Sequence, residues 1–156
     1  MIEIQYNGIR LIVMDIGEGK QVFSIIEENA VGNALTVKQP YASMLVTGNK
    51  KFEYRSWKLQ DIMEGEILYI HAGMKVLEKK VNVSDELYRR ALEKVEKENL
   101  FGCIVGCVVF GHPEKTTNGY AWPVKSFFKF DEPIRNVKGN LGIWKFKVCK
   151  ETDKKK

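Results

Sequence analysis

The segment Leu35-Thr-Val-Lys-Gln-Pro-Tyr-Ala-Ser43 and, shortly after it, Gly48-Asn-Lys-Lys-Phe-Glu-Tyr-Arg-Ser-Trp57 decide how the surrounding chain is interpreted. The start of the first segment reads as a short strand, and Pro40 has a fixed φ that suits the first turn of a helix. Gly48 can end that helix in the left-handed conformation. The sequence therefore predicts a strand, a short helix over residues 41–47, and then a second strand within the charged segment.

The charged segment has the alternation of a strand with one wet face. In a regular strand alternate residues from 51 to 57 share a face, whereas the rings at 52 and 54 point the other way. Lys51 or Arg55 can pair with Glu53, and exposed pairs of this kind contribute little to stability. Spacing alone favours a solvated face. Position favours a site, because the segment follows a rigid helix end and precedes a strand that carries His71.

Hydrophobic periodicity predicts the other elements of the main part of the chain. Ser84 suits an N-cap, and acidic residues followed by apolar residues at helical spacing through Val95 predict a helix behind it. Several strands with only two or three helices indicate an α+β fold. The remaining strands are predicted over residues 52–55, 65–73, 103–110, 127–130 and 142–148.

The first part of the chain reads as β structure. Asn7-Gly8 stands between two alternating runs, and both residues accept the positive φ of a type I′ turn, which predicts a β-hairpin. A third strand over residues 22–26 is expected next, with a helix over 20–30 as the alternative. We divide the chain into an N-terminal extension (1–33), the main part of the same domain (34–150) and a basic tail (151–156).

Composition places the chain among ordinary globular domains. It has 156 residues, 44% of them hydrophobic, and a formal net charge of +5 that permits contact with phosphates without requiring it. The three cysteines cannot all pair with one another, and the start Met1-Ile-Glu-Ile lacks the features of a signal peptide. The longest apolar runs are too short for a membrane helix. A soluble protein of the reducing cytoplasm is expected.

The residues that carry common catalytic chemistry form no familiar motif here. Cys103 and Cys107, four apart on a strand, are expected on one face as core thiols, with a redox role as the alternative. His112 is expected in a loop, and His71 is expected either to be structural or to line a pocket. No Cys, His and carboxylate set has metal spacing, and no phosphate-binding loop or GxSxG motif occurs. No metal or cofactor is expected.

The two opening segments resemble the signature of a known domain family. Gln39-Pro40-x-Ala42 followed by Gly48-x-Lys50-x-x-Glu53-x-Arg55 is similar to the QPxA and GxKxxExR segments of the activating signal cointegrator homology (ASCH) domain. The similarity continues in order through later segments and covers roughly residues 34–147. Those later segments are 65–72, 102–107 and 133–145.

The resemblance implies a PUA-like fold, which is a small, partly closed β-barrel with flanking helices and a cleft lined by the signature residues. It also implies binding of nucleic acid, RNA above all, with DNA left open. Carried over by position, the cleft residues are Lys50, Glu53 and Arg55. The adjoining helix start contributes Gln39, Pro40 and Ser43, and Trp57 and His71 complete the expected binding set.

Physical chemistry agrees with such a cleft. Lys50 and Arg55 suit a phosphate or a base edge, and Glu53 can accept a hydrogen bond from an amino group. An aromatic ring, at Tyr41, Tyr54 or Trp57, could stack on an unpaired base. Single-stranded RNA, or one nucleoside held by itself, is the expected ligand.

The alternative is catalytic. Some ASCH-like proteins are acetylcytidine amidohydrolases, in which the matching lysine works with a threonine three residues later and a distant glutamate. Glu53 occupies the threonine position here, so Lys50 and Glu53 would have to activate water. Ser43 and Ser56 are the nearby hydroxyls in the sequence. Hydrolysis of modified nucleosides is therefore the second interpretation, and binding of a protein partner at an exposed edge of the N-terminal extension is the third.

Overall fold

The protein is described by a computed structural model, and its backbone and side chains are covered over different ranges. The backbone is described over residues 2–6, 9–15, 20–26, 31–78 and 84–147, and the side chains over 32–78 and 84–145.

Within these ranges a mixed sheet of ten strands forms the body of the fold. Eight strands follow the order β1-β2-β3-β9-β7-β6-β4-β10, and β5 and β8 pair with β9 beside this path. The strands are β1 Ile2–Tyr6, β2 Ile9–Asp15, β3 Lys20–Ile26, β4 Val31–Gln39, β5 Phe52–Arg55, β6 Ile67–Val76, β7 Cys103–Phe110, β8 Glu114–Thr116, β9 Gly119–Ile134 and β10 Ile143–Lys147.

The ends of this path do not meet. Over the described residues β1 pairs only with β2, and β10 pairs only with β4. The expected α+β class is therefore confirmed, whereas closure into a partial barrel is not. Two pairings, β3 with β9 and β4 with β6, are parallel, and the other strand pairs are antiparallel.

The described part of the chain has two α-helices beside the sheet, within the two or three that were predicted. Helix α1, Tyr41–Val46, is buried along most of its length, and Gly48 follows it with a φ of 80°. Helix α2, Asp85–Glu98, begins behind Ser84, whose Oγ accepts a hydrogen bond from the Leu87 N–H at 3.2 Å. A 3₁₀ helix covers Asp61–Met63. Within the described residues, neither α-helix has the length and apolar character needed to span a membrane.

Gly106 allows α1 to lie directly on strand β7. A Cβ atom at this position would stand 2.0 Å from the Phe128 carbonyl oxygen and 3.0 Å from two atoms of the Val46 side chain. Only glycine fits between the helix and the neighbouring strand. The close contact fixes the end of α1, and with it the direction in which residues 48–51 lead into β5.

The prediction that Cys103 and Cys107 share one face of their strand is wrong. Both thiols are buried, but Cys103 packs in the larger hydrophobic cluster with Val105, whereas Cys107 packs in the smaller one with Ile104. Against β6 the register shifts, because Ile70 pairs with Gly106 and His71 with Ile104, so β7 has one more residue than β6 at this point, which is a β-bulge. One extra residue reverses the alternation. Burial raises the pKa of both thiols, which disfavours a redox role.

The N-terminal strands follow the predicted hairpin. Tyr6 pairs with Ile9 at the end of the β1–β2 ladder, and the predicted turn residues between them lie outside the described part of the chain. Residues 20–26 form strand β3, so the helix considered there is wrong. The strand joins the main sheet through β9. The predicted basic tail lies outside the described residues.

Candidate functional site

A buried carboxylate with two cationic partners lies on strand β5. Glu53 is only 5% exposed. Its Oε1 accepts from Lys50 Nζ at 3.1 Å, and its Oε2 accepts from Arg55 Nε at 2.7 Å. The solvated-face interpretation of this segment is therefore wrong, because Glu53 is buried and its lysine partner is Lys50 instead of Lys51.

The turn after helix α1 delivers Lys50 to this pair. The Lys50 N–H donates to the Met44 carbonyl at 3.1 Å, which folds the turn back against the helix. The Lys50 ammonium also donates to the Phe52 carbonyl. It lies over the rings of Tyr41 and Tyr54, 5.5 and 5.1 Å from their centroids, where the cation–π attraction holds it further.

Arg55 connects strand β5 to strand β4. While its Nε donates to Glu53, its terminal NH2 group donates to the Thr36 carbonyl at 2.9 Å. Strand β5 is hydrogen-bonded to β9 and not to β4, so this guanidinium is a direct link across the gap. Arg55 bonds its two acceptors through different nitrogens of one planar group, an arrangement that the single nitrogen of a lysine does not reproduce.

These three side chains line a cleft of about 860 Å³. Its other walls come from β4, from the turn over residues 116–120 and from the loop over 140–142. A volume of this size is sufficient for a small organic ligand. The charged residues of the lining are Lys38, Lys50 and Arg55 against Glu53, a formal charge of +2.

Two tyrosines offer ring surface to a ligand in this cleft. Tyr54 is 44% exposed, although the strand pattern placed it on the opposite face from Glu53, and Tyr120 is half-buried. Tyr41 also lines the cleft but is 3% exposed, and its hydroxyl donates to the Glu78 carbonyl. Trp57 is not in the lining, since it packs edge-on against Trp122 with 4.8 Å between centroids.

The expected site residues at the start of α1 lie behind the cleft. Gln39 is fully buried, and its amide nitrogen donates to Ser43 Oγ at 2.9 Å and to the Leu100 carbonyl at 2.7 Å. Its amide oxygen accepts from the Ser43 N–H. The Gln39 side chain thus ties α1 to the chain after α2. Pro40 is buried beside it, and Ser43 lines a separate cavity of about 330 Å³ along α2.

His71 lies one layer below the cleft and is 2% exposed. Its Nε2 donates to the Val137 carbonyl at 2.6 Å, so the neutral ring accepts at Nδ1, where the Thr36 hydroxyl lies at 3.2 Å. The same hydroxyl accepts from Trp144 Nε1 at 3.0 Å. Burial lowers the pKa of His71 against an opposing effect of the Val137 hydrogen bond, so the neutral ring is favoured.

Several cleft residues were not identified from the sequence. Thr36 and Lys38 alternate with buried neighbours on β4, and this period-two pattern could have indicated them. Asn118-Gly119 is a strong turn signal and could have indicated the turn that borders the cleft. A Cβ at Gly119 would stand 2.4 Å from the Arg55 carbonyl oxygen, so the turn lies directly on β5.

A second cluster of polar side chains lies away from the cleft. Asp61, Glu64 and His112 come together with their ligand-type atoms within 4.8 Å of one another, although their spacing in the sequence gave no metal signal. His112 follows β7 in a loop, as expected, and its Nδ1 lies 3.1 Å from both carboxylate oxygens of Glu64. Asp61 and His112 are exposed. A surface hydrogen bond between Glu64 and His112 accounts for the arrangement.

A comparison with protein-family models identifies the family that the chain matches. The family model of the ASCH domain matches residues 35–137, about two thirds of the chain. The matched range begins in β4 and contains the whole Lys50–Glu53–Arg55 set, together with His71 and Val137. A search of curated proteins finds no matching relative.

Proposed function

The chain belongs to the ASCH domain family, and from this membership and the geometry of the cleft we propose that it binds single-stranded RNA through one nucleotide held in the cleft. ASCH domains are PUA-like domains that are generally proposed to bind RNA. Membership of the family suggests that the ligand is a nucleic acid, and the cleft supports single-stranded RNA among the nucleic acids. The observation that carries the proposal is the Lys50–Glu53–Arg55 set on the cleft wall.

The charge of the cleft suits a ligand with few phosphates. Glu53 offsets one of the three cations, which leaves a formal charge of +2 in place of a long basic groove. Arg55 uses its Nε and one terminal nitrogen within the protein, and its side chain keeps 23% exposure on the side of the cleft. Its remaining N–H groups can therefore donate to a phosphate or a base edge.

The shape of the cleft suits an unpaired base. Tyr54 and Tyr120 can stack on a base, and threonine and asparagine side chains of the turn over residues 116–118 can bond its edge or its ribose. A base can enter only if it is splayed out of a helix. Single-stranded RNA and loops present bases in that state, whereas duplexes do not.

Hydrolysis of modified nucleosides is less well supported by the same contacts. Both oxygens of Glu53 already accept hydrogen bonds from Lys50 and Arg55, and the 7% exposure of this side chain leaves little of the carboxylate open to a water molecule. Among the described residues the acceptors that Lys50 Nζ contacts are the Phe52 carbonyl and Glu53, neither of them a hydroxyl. Ser56 lines the cleft and Ser43 does not. Incubation with acylated nucleosides, followed by chromatography, is expected to give no product.

The test is a binding titration with a fluorescent, mixed-sequence RNA of about ten nucleotides. Lys50→Ala and Arg55→Ala each remove a cation of the cleft and are expected to weaken binding by tenfold or more, since a charge-assisted hydrogen bond contributes about 1.5–3 kcal/mol. Lys51→Ala is the matched control, because Lys51 is exposed and does not line the cleft.

A duplex of the same sequence and the DNA version of the single strand separate the classes of ligand. The single strand is expected to bind more tightly than the duplex. Equal affinity of the wild type, both cleft variants and the Lys51 control would contradict binding in this cleft.

A further inference from the structure

Thr36 and His71 connect the cleft to a loop that is not part of the sheet. Arg55 donates to the Thr36 carbonyl in the cleft, while the Thr36 hydroxyl contacts His71 below it. His71 in turn donates to the carbonyl of Val137, which lies in the loop between β9 and β10. Residues 140–142 of that loop form one wall of the cleft.

From these contacts we infer that His71 is a positioning residue, which holds the loop over residues 137–142 in place as a wall of the ligand site. The inference rests on the proposed function for the identity of the ligand. The support that His71 gives the loop depends only on contacts within the protein, with Val137 and Gly139.

The loop is fixed at its start and has little support at its tip. Arg135 donates to the carbonyls of Asn99 and Glu98 at the end of α2, and the Val137 N–H donates to the Gly102 carbonyl at 3.0 Å. Beyond Val137, the loop packs at Gly139 against the side chains of His71 and Thr36. Residues 140–142 therefore lie between this contact and strand β10, where Ile143 pairs with Leu35.

Gly139 lies directly on the histidine. A Cβ at this position would stand 2.8 Å from His71 Cε1 and 2.8 Å from Thr36 Oγ1. The imidazole is also packed edge-on against Trp144, with 5.5 Å between ring centroids, so it cannot easily give way. His71 therefore supports the loop both by a hydrogen bond and by contact.

An exposed apolar side chain at the tip of the loop, that of Leu141, borders the cleft. Leu141 is 97% exposed and yet belongs to the residues around the cleft. A leucine in this position adds nothing to the core. It is suited to cover the face of a base held against Tyr54 or Tyr120.

Two measurements on the full chain test the inference. Hydrogen exchange of the peptide that contains residues 137–142 reports the hold on the loop, and titration with the single-stranded RNA reports binding. His71→Phe keeps a ring but loses both hydrogen bonds, so exchange is expected to quicken at least tenfold and affinity to fall at least fivefold. His71→Gln retains a donor and an acceptor and is expected to restore most of both.

Gly139→Ala tests the same contact without changing the buried histidine. Its added methyl group should displace the loop, with faster exchange and weaker binding, even if His71→Phe fails to fold. Leu141→Ser should weaken binding with no change in exchange, whereas Ile62→Ser, at an exposed position outside the cleft lining, should change neither.

Unchanged exchange in both His71→Phe and Gly139→Ala would overturn the positioning role. Faster exchange with unaltered affinity would show that the loop is not part of the site, and would overturn it as well. A wild-type protein that binds no RNA would instead refute the proposed function, and the exchange measurement would still decide whether His71 holds the loop.

Discussion

Arg55 and Glu53 face the same side of strand β5, and the Arg55 Nε lies 2.7 Å from the Glu53 Oε2. Residues two apart on a strand point the same way, so this contact follows from local geometry. Lys50 reaches the other oxygen from outside the strand, because the turn after α1 returns the chain towards the cleft. The carboxylate therefore holds together two cations that come from different elements.

Glu53→Gln should destabilise the protein. It removes the negative charge between Lys50 and Arg55, whose side chains are 11% and 23% exposed. Breaking a buried ion pair costs about 3–5 kcal/mol, and the partial exposure of the cations places the loss near about 3 kcal/mol. Urea unfolding measures it. Glu66→Gln, at an exposed carboxylate, should stay within about 0.5 kcal/mol of the wild type, and equal midpoints for the two variants would contradict this account.

The salt dependence of RNA binding should be shallow. A formal charge of +2 in the cleft corresponds to a slope of about −1.4 in a plot of log affinity against log salt, at about 0.7 per phosphate for single strands. Affinity should fall roughly sevenfold between about 50 and 200 mM salt. Titration across that range gives the slope. A much steeper slope would mean that cations outside the cleft dominate binding.

The sequence predicted the short helix, the strand behind it and the cationic residues, because these depend on local turn chemistry and on a family signature. It could not predict that Glu53 is buried, since burial depends on β4 and β9, which are distant in the chain. The bulge in β7 likewise left no mark in the hydrophobic pattern, and so the two cysteines were placed on one face. Long-range pairing determined each of these features.

Gly106→Ala should disturb the packing of α1 and not the chemistry of the cleft. The added Cβ would approach the Phe128 carbonyl oxygen to 2.0 Å, so the helix or β9 must move. Overpacking of this kind costs typically about 1–3 kcal/mol, and contact with backbone places it at the upper end. Gly73→Ala, on the neighbouring strand β6, meets its nearest atom at 3.4 Å and should be nearly neutral. Thermal unfolding of the two variants compares them, and similar losses would be evidence against the tight helix contact.

Arg55→Lys should weaken RNA binding although the charge is kept. Arg55 reaches Glu53 and Thr36 from two different nitrogens of its planar group, and the single nitrogen of a lysine would have to lie within hydrogen-bond distance of both acceptors, so we expect Arg55→Lys to keep one of the two contacts. We expect a loss of about tenfold in affinity, close to that of Arg55→Ala, with an unchanged salt slope. Lys51→Arg, at an exposed position, is the control for the exchange of the two residue types. Full affinity of Arg55→Lys would show that charge alone is required.

The protein should become less stable as the pH is lowered, because His71 is buried as a neutral ring. Burial lowers the pKa of His71 below its ordinary value of 6.5, so the unfolded chain takes up a proton at a higher pH than the folded chain does. The contribution of His71 is therefore complete above about pH 6.5 and is lost as the pH falls from there towards the lower pKa of the folded state.

Urea unfolding between about pH 7.5 and 5 measures the loss in the wild type and in His71→Gln, which has no imidazole at this position. The carboxylates and His112 are common to both proteins, so their effects cancel in the difference. The wild type should lose more stability than the variant over this interval, and parallel curves would mean that the ring takes up a proton in the folded protein as readily as in the unfolded chain.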